Sequence, residues 1–89
     1  MKESYVYILR CSDDTLYTGY ATDVLKRVKA HNDKKGAKYT KSRLPVTLVY
    51  MQKLESKSAA LKMEAMIKKL SRKEKLLLID EYQRKQVEV

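Results

Sequence analysis

Two tyrosine-bearing segments, Tyr5-Val6-Tyr7 and Tyr17-Thr18-Gly19, precede a stretch in which Arg27 and His31 stand four residues apart. On a helix that spacing sets a guanidinium and an imidazole one turn apart on the same side. With two phenols they form a set able to hold, deprotonate and neutralise the parts of a phosphodiester undergoing hydrolysis. That reaction needs an in-line nucleophile, removal of the nucleophile's proton, and positive charge where the transition state is most negative. Arginine suits the last task, because its planar fork keeps its charge and can grip two phosphate oxygens. His31 is the sole histidine, so a multi-histidine metal cage is excluded.

The elements that must position these groups are legible in outline. Tyr5 to Arg10 and Leu16 to Tyr20 are rich in tyrosine and aliphatic residues, and Ser12-Asp13-Asp14-Thr15 between them has turn composition, so they read as a hairpin. Pairing Arg10 with Leu16 sets Tyr7 opposite Gly19 and Leu9 opposite Tyr17. The two phenols then lie diagonally on one sheet face, roughly 7–8 Å apart at the backbone. Gly19 leaves open space above Tyr7, and a slip of one residue would split the rings between faces.

Thr22 is expected to cap a helix to about Asn32, with Asp23 in its first turn. Val24, Leu25 and Val28 form its buried stripe, and Arg27 with His31 is expected to border the core without entering it. Asp33 to Leu44 is basic, contains Gly36 and ends before Pro45, which predicts a surface loop. Val46 to Met51 reads as a third strand. Ser56 or Ser58 then starts a helix to about Leu70. Ser71-Arg72-Lys73-Glu74 has the pattern of a capping box opening a last helix through about Tyr82, with a frayed tail from Gln83 onward. The order β-β-α-β-α-α predicts an α+β fold, a three-stranded sheet covered by helices. The 89 residues are expected to form a single domain with its core at about 4–82.

The second of these helices carries an apolar stripe of Ala59, Ala60, Met63, Met66, Ile67 and Leu70. Glu64 lies roughly 40° from Ala60 at the border of that stripe. A carboxylate there can point into a cleft while its helix packs on the sheet.

Taken in order, YVY, YTG, Thr22-Asp23-Val24-Leu25-Lys26-Arg27, His31-Asn32, Ala37-Lys38-Tyr39-Thr40, Pro45-Val46 and Leu61-Lys62-Met63-Glu64 resemble the GIY-YIG nuclease superfamily, closest to its small stand-alone bacterial members. The likeness covers nearly the whole chain. It implies a central antiparallel sheet, with catalytic roles for Tyr7, Tyr17, Arg27, His31 and Glu64. One tyrosine would activate or position water, Arg27 would stabilise the scissile phosphate, and His31 would relay a proton or orient Tyr7. Glu64 would hold one Mg²⁺ or Mn²⁺, bound mainly when nucleic acid is present, because a single carboxylate makes a weak site alone. Tyr5 stands where the name motif has its first glycine. A late asparagine that some members carry has no counterpart, since Asn32 is the last asparagine.

Charge points the same way. The net charge is +9, and its excess begins after the first helix: Lys34 to Arg43 hold five basic residues and no acidic one, and Lys53 to Lys85 hold ten basic and five acidic. A polyanion is the natural partner, because each cation that neutralises a phosphate releases counterions. Lys38, Tyr39, Lys41 and Arg43 are the expected strand-binding patch, with Tyr39 able to stack on a base. DNA is favoured over RNA, with low sequence specificity. Neither a membrane span nor a leader is expected. The single cysteine, Cys11, favours a reducing compartment, the cytoplasm, and the implied setting is bacterial DNA repair or recombination.

Each residue has an ordinary alternative when taken singly. Paired strand tyrosines can be cross-strand packing, Glu64 can be a partner for Lys68 one turn on, and the basic segment can be a solvated loop. The alternative function is a nucleic-acid-binding module with weak or lost turnover, or one that needs a partner protein; a monomer is favoured over an oligomer. Met and Leu positions of the last two helices offer a third reading, as a protein-binding surface.

Overall fold

The computed structural model describes residues 3–87. Its strands are β1 (Ser4–Arg10), β2 (Leu16–Ala21) and β3 (Thr47–Leu54), and its helices are α1 (Val24–Asn32), α2 (Lys38–Lys41), α3 (Lys57–Lys68) and α4 (Arg72–Val87). The predicted order β-β-α-β-α-α is present, with α2 as one added turn inside the segment read as a loop. The sheet runs β2-β1-β3 with both pairings antiparallel, so β1 is the central strand. Its pairing with β2 is the predicted one, Tyr7 opposite Gly19 and Leu9 opposite Tyr17. Asp14 closes the hairpin turn at a φ of 70°, a left-handed conformation that aspartate tolerates better than most residues.

Alternation along β1 divides the core. Tyr7 and Leu9 face a cluster with Cys11, Ala21, Val24 and Val46, on the side covered by α1 and the following segment. Val6 and Ile8 face Val49, Tyr50, Ala60, Ile67 and Ile79, on the side covered by α3 and α4. A register shift between Ile8 and Leu9 in the pairing with β3 lets adjacent Val49 and Tyr50 serve the same cluster.

Helix ends follow local chemistry, with two departures from the expected ends. Asp23, not Thr22, caps α1, its carboxylate accepting from the Lys26 N–H at 3.1 Å. Ser56 caps α3, and Ser71 with Glu74 makes the reciprocal capping box of α4. Residues 83–87, read as a frayed tail, continue α4, since they contain no helix breaker; residues 88–89 lie outside the described ones. Leu25 is 74% exposed and Met66 54%, although the helical stripes placed both inside. A stripe drawn from hydrophobicity alone is wider than the strip of helix that the sheet covers.

Candidate active site

The hairpin brings Tyr7 and Tyr17 together, with ring centroids 6.4 Å apart. Gly19 makes that possible. A Cβ there would lie 2.6 Å from the Tyr7 hydroxyl oxygen and 2.7 Å from its Cζ, closer than real Cβ atoms approach. Helix α1 then delivers His31 to the same place, 5.3 Å from Tyr17 and 6.2 Å from Tyr7 by ring centroids. His31 does not border the core as expected; it is buried at 1% exposure, and Arg27 on the preceding turn is exposed. One helical turn thus separates a solvent-facing cation from a buried imidazole.

A hydrogen-bonded chain fixes the state of that imidazole. The Thr40 hydroxyl donates to the Ala37 carbonyl at 2.9 Å, which uses its only proton. It can therefore only accept from His31 Nδ1, 2.8 Å away. Nδ1 carries the ring proton, Nε2 is bare, and the Tyr7 hydroxyl donates to Nε2 at 3.1 Å. Burial, seconded by the charge of Arg27, lowers the His31 pKa from its ordinary 6.5, so the ring stays neutral near neutral pH.

Tyr7 is fully buried. Burial and then the neighbouring Tyr17 push its pKa up to about 12, against the charge and hydrogen-bonding reach of Arg27; the Glu64 carboxylate adds a further rise. Three residues thus act on one phenol: Tyr17, Arg27 and Glu64. Arg27 donates from Nη1 to the Tyr20 carbonyl at 3.3 Å, a long bond that leaves the rest of its fork free. Glu64, on α3, is near enough for its charge to act on Tyr7; its side chain is 18% exposed, and its resting partner is Lys68 at 3.2 Å. Among the described residues, no three of His, Cys, Asp or Glu gather closely enough to cage a metal. A cation here would rely on Glu64 and on ligands brought by substrate and water.

Three contributors escaped the sequence reading. Gly36 has no positive φ, so its backbone needs no glycine; what requires it is the His31 ring, whose Cγ would lie 2.6 Å from a Cβ at this position. Thr40 is fully buried in a segment read as surface loop. Asn32 ties the end of α1 to the approach to β3, accepting from the Val46 N–H at 2.8 Å and donating to the Val46 carbonyl at 3.2 Å. A glycine and a threonine in a lysine-rich stretch have turn composition, and only the position of His31 gives them another meaning.

The basic patch is divided by the fold. Lys38, Tyr39 and Lys41 are exposed on α2. Arg43 is a clamp: its Nε donates to Asp13 at 3.0 Å, its Nη1 to the Tyr39 carbonyl at 2.7 Å, and its guanidinium carbon sits 4.0 Å over the Tyr39 ring. It fastens α2 to the hairpin turn and stacks Tyr39 against Tyr17 at 6.0 Å.

The chain matches the family model of the GIY-YIG catalytic domain over residues 3–77 and belongs to that family, a nuclease superfamily. Among its relatives, a UPF0213 protein of Syntrophus aciditrophicus is 59% identical over 80 residues, covering 89% of this chain and 92% of its own. Another, from Staphylococcus saprophyticus, is 54% identical and covers 91% and 99%. The solution NMR structure of a Bacillus halodurans UPF0213 protein matches with a TM-score of 0.58 and 47% identity over 88% of this chain and 83% of that one. That of an E. faecalis protein matches with a TM-score of 0.61 and 37% identity over 100% and 92%. The family suggests nucleic-acid binding, and among the described residues no helix is long and apolar enough to cross a membrane.

Proposed function

We propose that this protein is a metal-dependent endonuclease that hydrolyses DNA phosphodiester bonds with low sequence specificity, selecting its substrate by structure. The observation that carries the proposal is the chain from Tyr7 to His31 to Thr40, which aims a bare imidazole nitrogen at a phenol lying beside Arg27. Arg27, exposed and loosely held, binds the scissile phosphate and offsets the charge that grows on it. Tyr17, half-buried between Tyr7, His31 and Tyr39, is placed to touch the attacking water. Tyr7 reaches the same place only through local opening, and His31 receives or orients its proton. Glu64 would hold the Mg²⁺ or Mn²⁺ with waters and phosphate oxygens, and the ion when bound supplies further positive charge to the phosphoryl group.

Pure protein incubated with labelled duplex, forked and single-stranded DNA plus Mg²⁺ or Mn²⁺ tests this reading. Tyr17→Phe, Arg27→Ala and Glu64→Ala are each expected to slow cutting by about 10²-fold or more. Metal-dependent cutting that persists unchanged in all three variants would overturn the site.

A further inference from the structure

A recess lies beside the candidate active site, with Tyr39 in its wall. It measures about 220 Å³ and is lined by Thr15, Leu16, Tyr39, Arg72 and Lys75. We propose that it is a subsite for one unpaired nucleotide next to the phosphate to be cut, and this rests on the nuclease reading above.

The lining contains what a nucleotide needs. Tyr39 is 39% exposed and, with Arg43 and Tyr17 against its ring, presents its remaining aromatic surface and edge; Leu16 adds an aliphatic wall, Thr15 a hydroxyl, and Arg72 and Lys75 two cations from the first turn of α4. Aromatic surface beside positive charge is how proteins hold single-stranded nucleic acid, base on ring and phosphate on cation. The recess is smaller than the roughly 300–1,000 Å³ typical of small-molecule pockets, so it suits one piece of an extended ligand. Its Tyr39 wall is in contact with the catalytic groups, because Tyr39 stacks on Tyr17 and Tyr17 packs on His31. A strand whose phosphate lies at Arg27 and Tyr17 therefore presents a neighbouring base to Tyr39.

The cations are available. Arg72 pairs with Asp14 at 3.4 Å, with the two side chains 51% and 75% exposed, a weak contact that a phosphate can displace. Lys75 makes no ion pair among the described residues. The nearby acids are engaged elsewhere: Glu74 accepts from the Ser71 N–H at 3.0 Å, and Asp13 from Thr15 and Arg43. The backbone donors of α4 are partly met by its capping box, so the side chains carry the attraction.

A base inside a duplex has both faces stacked and cannot enter such a recess. The occupant is thus a frayed end, a flap or a single strand, which gives structural selectivity a physical cause.

The test is fluorescence anisotropy of the whole chain with a labelled single strand and with blunt duplex, in chelator so that nothing is cut. For the single strand, Arg72→Ala with Lys75→Ala is expected to flatten the dependence of log affinity on log salt by about 0.7 for each phosphate no longer neutralised. Tyr39→Leu is expected to weaken single-strand binding at least about fivefold, and Tyr39→Phe to restore it. Duplex binding should change no more than it does for a remote pair, Arg84→Ala with Lys85→Ala. Equal losses on duplex and single strand, or the same flattening from the remote pair, would overturn the subsite. If the wild type never cuts but these binding differences hold, the nuclease reading fails and the subsite stands. If it cuts, and the Arg72/Lys75 variant binds and cuts like wild type, the subsite fails and the nuclease reading stands.

Discussion

Replacing Thr40 with valine keeps the shape of a fully buried side chain and removes one oxygen. The Ala37 carbonyl survives the change, since it also accepts from the Thr40 backbone N–H at 3.1 Å. The loss falls on His31 Nδ1–H, which has no other partner among the described residues. An unsatisfied buried donor costs about 1–3 kcal/mol, a sizeable share of a small domain's stability. The ring can avoid that cost only by moving its proton to Nε2, where it would face the Tyr7 hydroxyl and make that oxygen an acceptor. If the proton moves, Tyr7 loses its acceptor and cutting should fall by about 10²-fold or more, the usual span of acid–base assistance; if it stays, Nε2 still accepts from Tyr7 and the cost appears in stability. Urea unfolding gives the stability loss, and cleavage well below the unfolding midpoint gives the rate. Imidazole ¹⁵N chemical shifts report which nitrogen is protonated. Thr40→Ser keeps the oxygen and should restore the tautomer and most of the rate. A Thr40→Val protein that both matches wild-type stability and cuts at the wild-type rate, or a wild type with its proton on Nε2, would refute the reasoning.

Gly19→Ala should cost about 1–3 kcal/mol, as overpacking does, because Tyr7 is buried and hydrogen-bonded and cannot yield; an unchanged urea midpoint would contradict this. His31 titrates lower folded than unfolded, so its contribution to stability is complete above about pH 6.5 and is lost as pH falls from there through the folded pKa. Acid unfolding of His31→Gln should show a weaker slope in that window, and an identical slope would contradict the assignment. Tyr7 is raised to about 12, so stability should fall as pH climbs from about 10 towards 12, and Tyr7→Phe should abolish that component; a Tyr7→Phe profile matching wild type would exclude it. The triple change Tyr7→Phe, His31→Leu, Thr40→Val should be far less destabilising than the summed single changes, since apolar groups of similar shape replace every partner at once; a loss equal to that sum would refute it.

The hairpin was readable because alternation and turn chemistry specify register together. Once Arg10 faces Leu16, the pairing of Tyr7 with Gly19 follows. The capping box at Ser71 was equally local. What stayed hidden depends on contacts between distant segments. His31 is a polar residue at a helix margin, and nothing in helical spacing says that Thr40 and Gly36, nine and five residues on, will fold over it and draw it inside. Arg43 was read by its charge, but its partners Asp13 and Tyr39 lie in separate elements, so its clamp role exists only in the folded chain. Arg72 and Lys75 were read as general basicity for the same reason. Their meaning comes from α4 starting beside the hairpin turn, a position to which the Asp14 contact attests.

Polar side chains among the largest fully buried groups of so small a core call for a reason, because a fully apolar set would fold as well or better. Stability alone does not supply one. Among the described residues every buried side-chain nitrogen and oxygen has a partner, so the network is complete, and a complete network holds its members in one geometry. What that rigidity secures is direction: a donor phenol, a bare nitrogen and a fixed ring proton in series, ending beside an exposed arginine. In the free protein the pKa values of Tyr7 and His31 hold the proton firmly on the phenol. Phosphate oxygens and a cation at Glu64 would alter the charges around Tyr7, which already responds to Arg27 and Glu64. On the proposed function, a phosphate at Arg27 would by itself raise the Tyr7 pKa further and a cation at Glu64 would lower it, so release of that proton would depend on the ion.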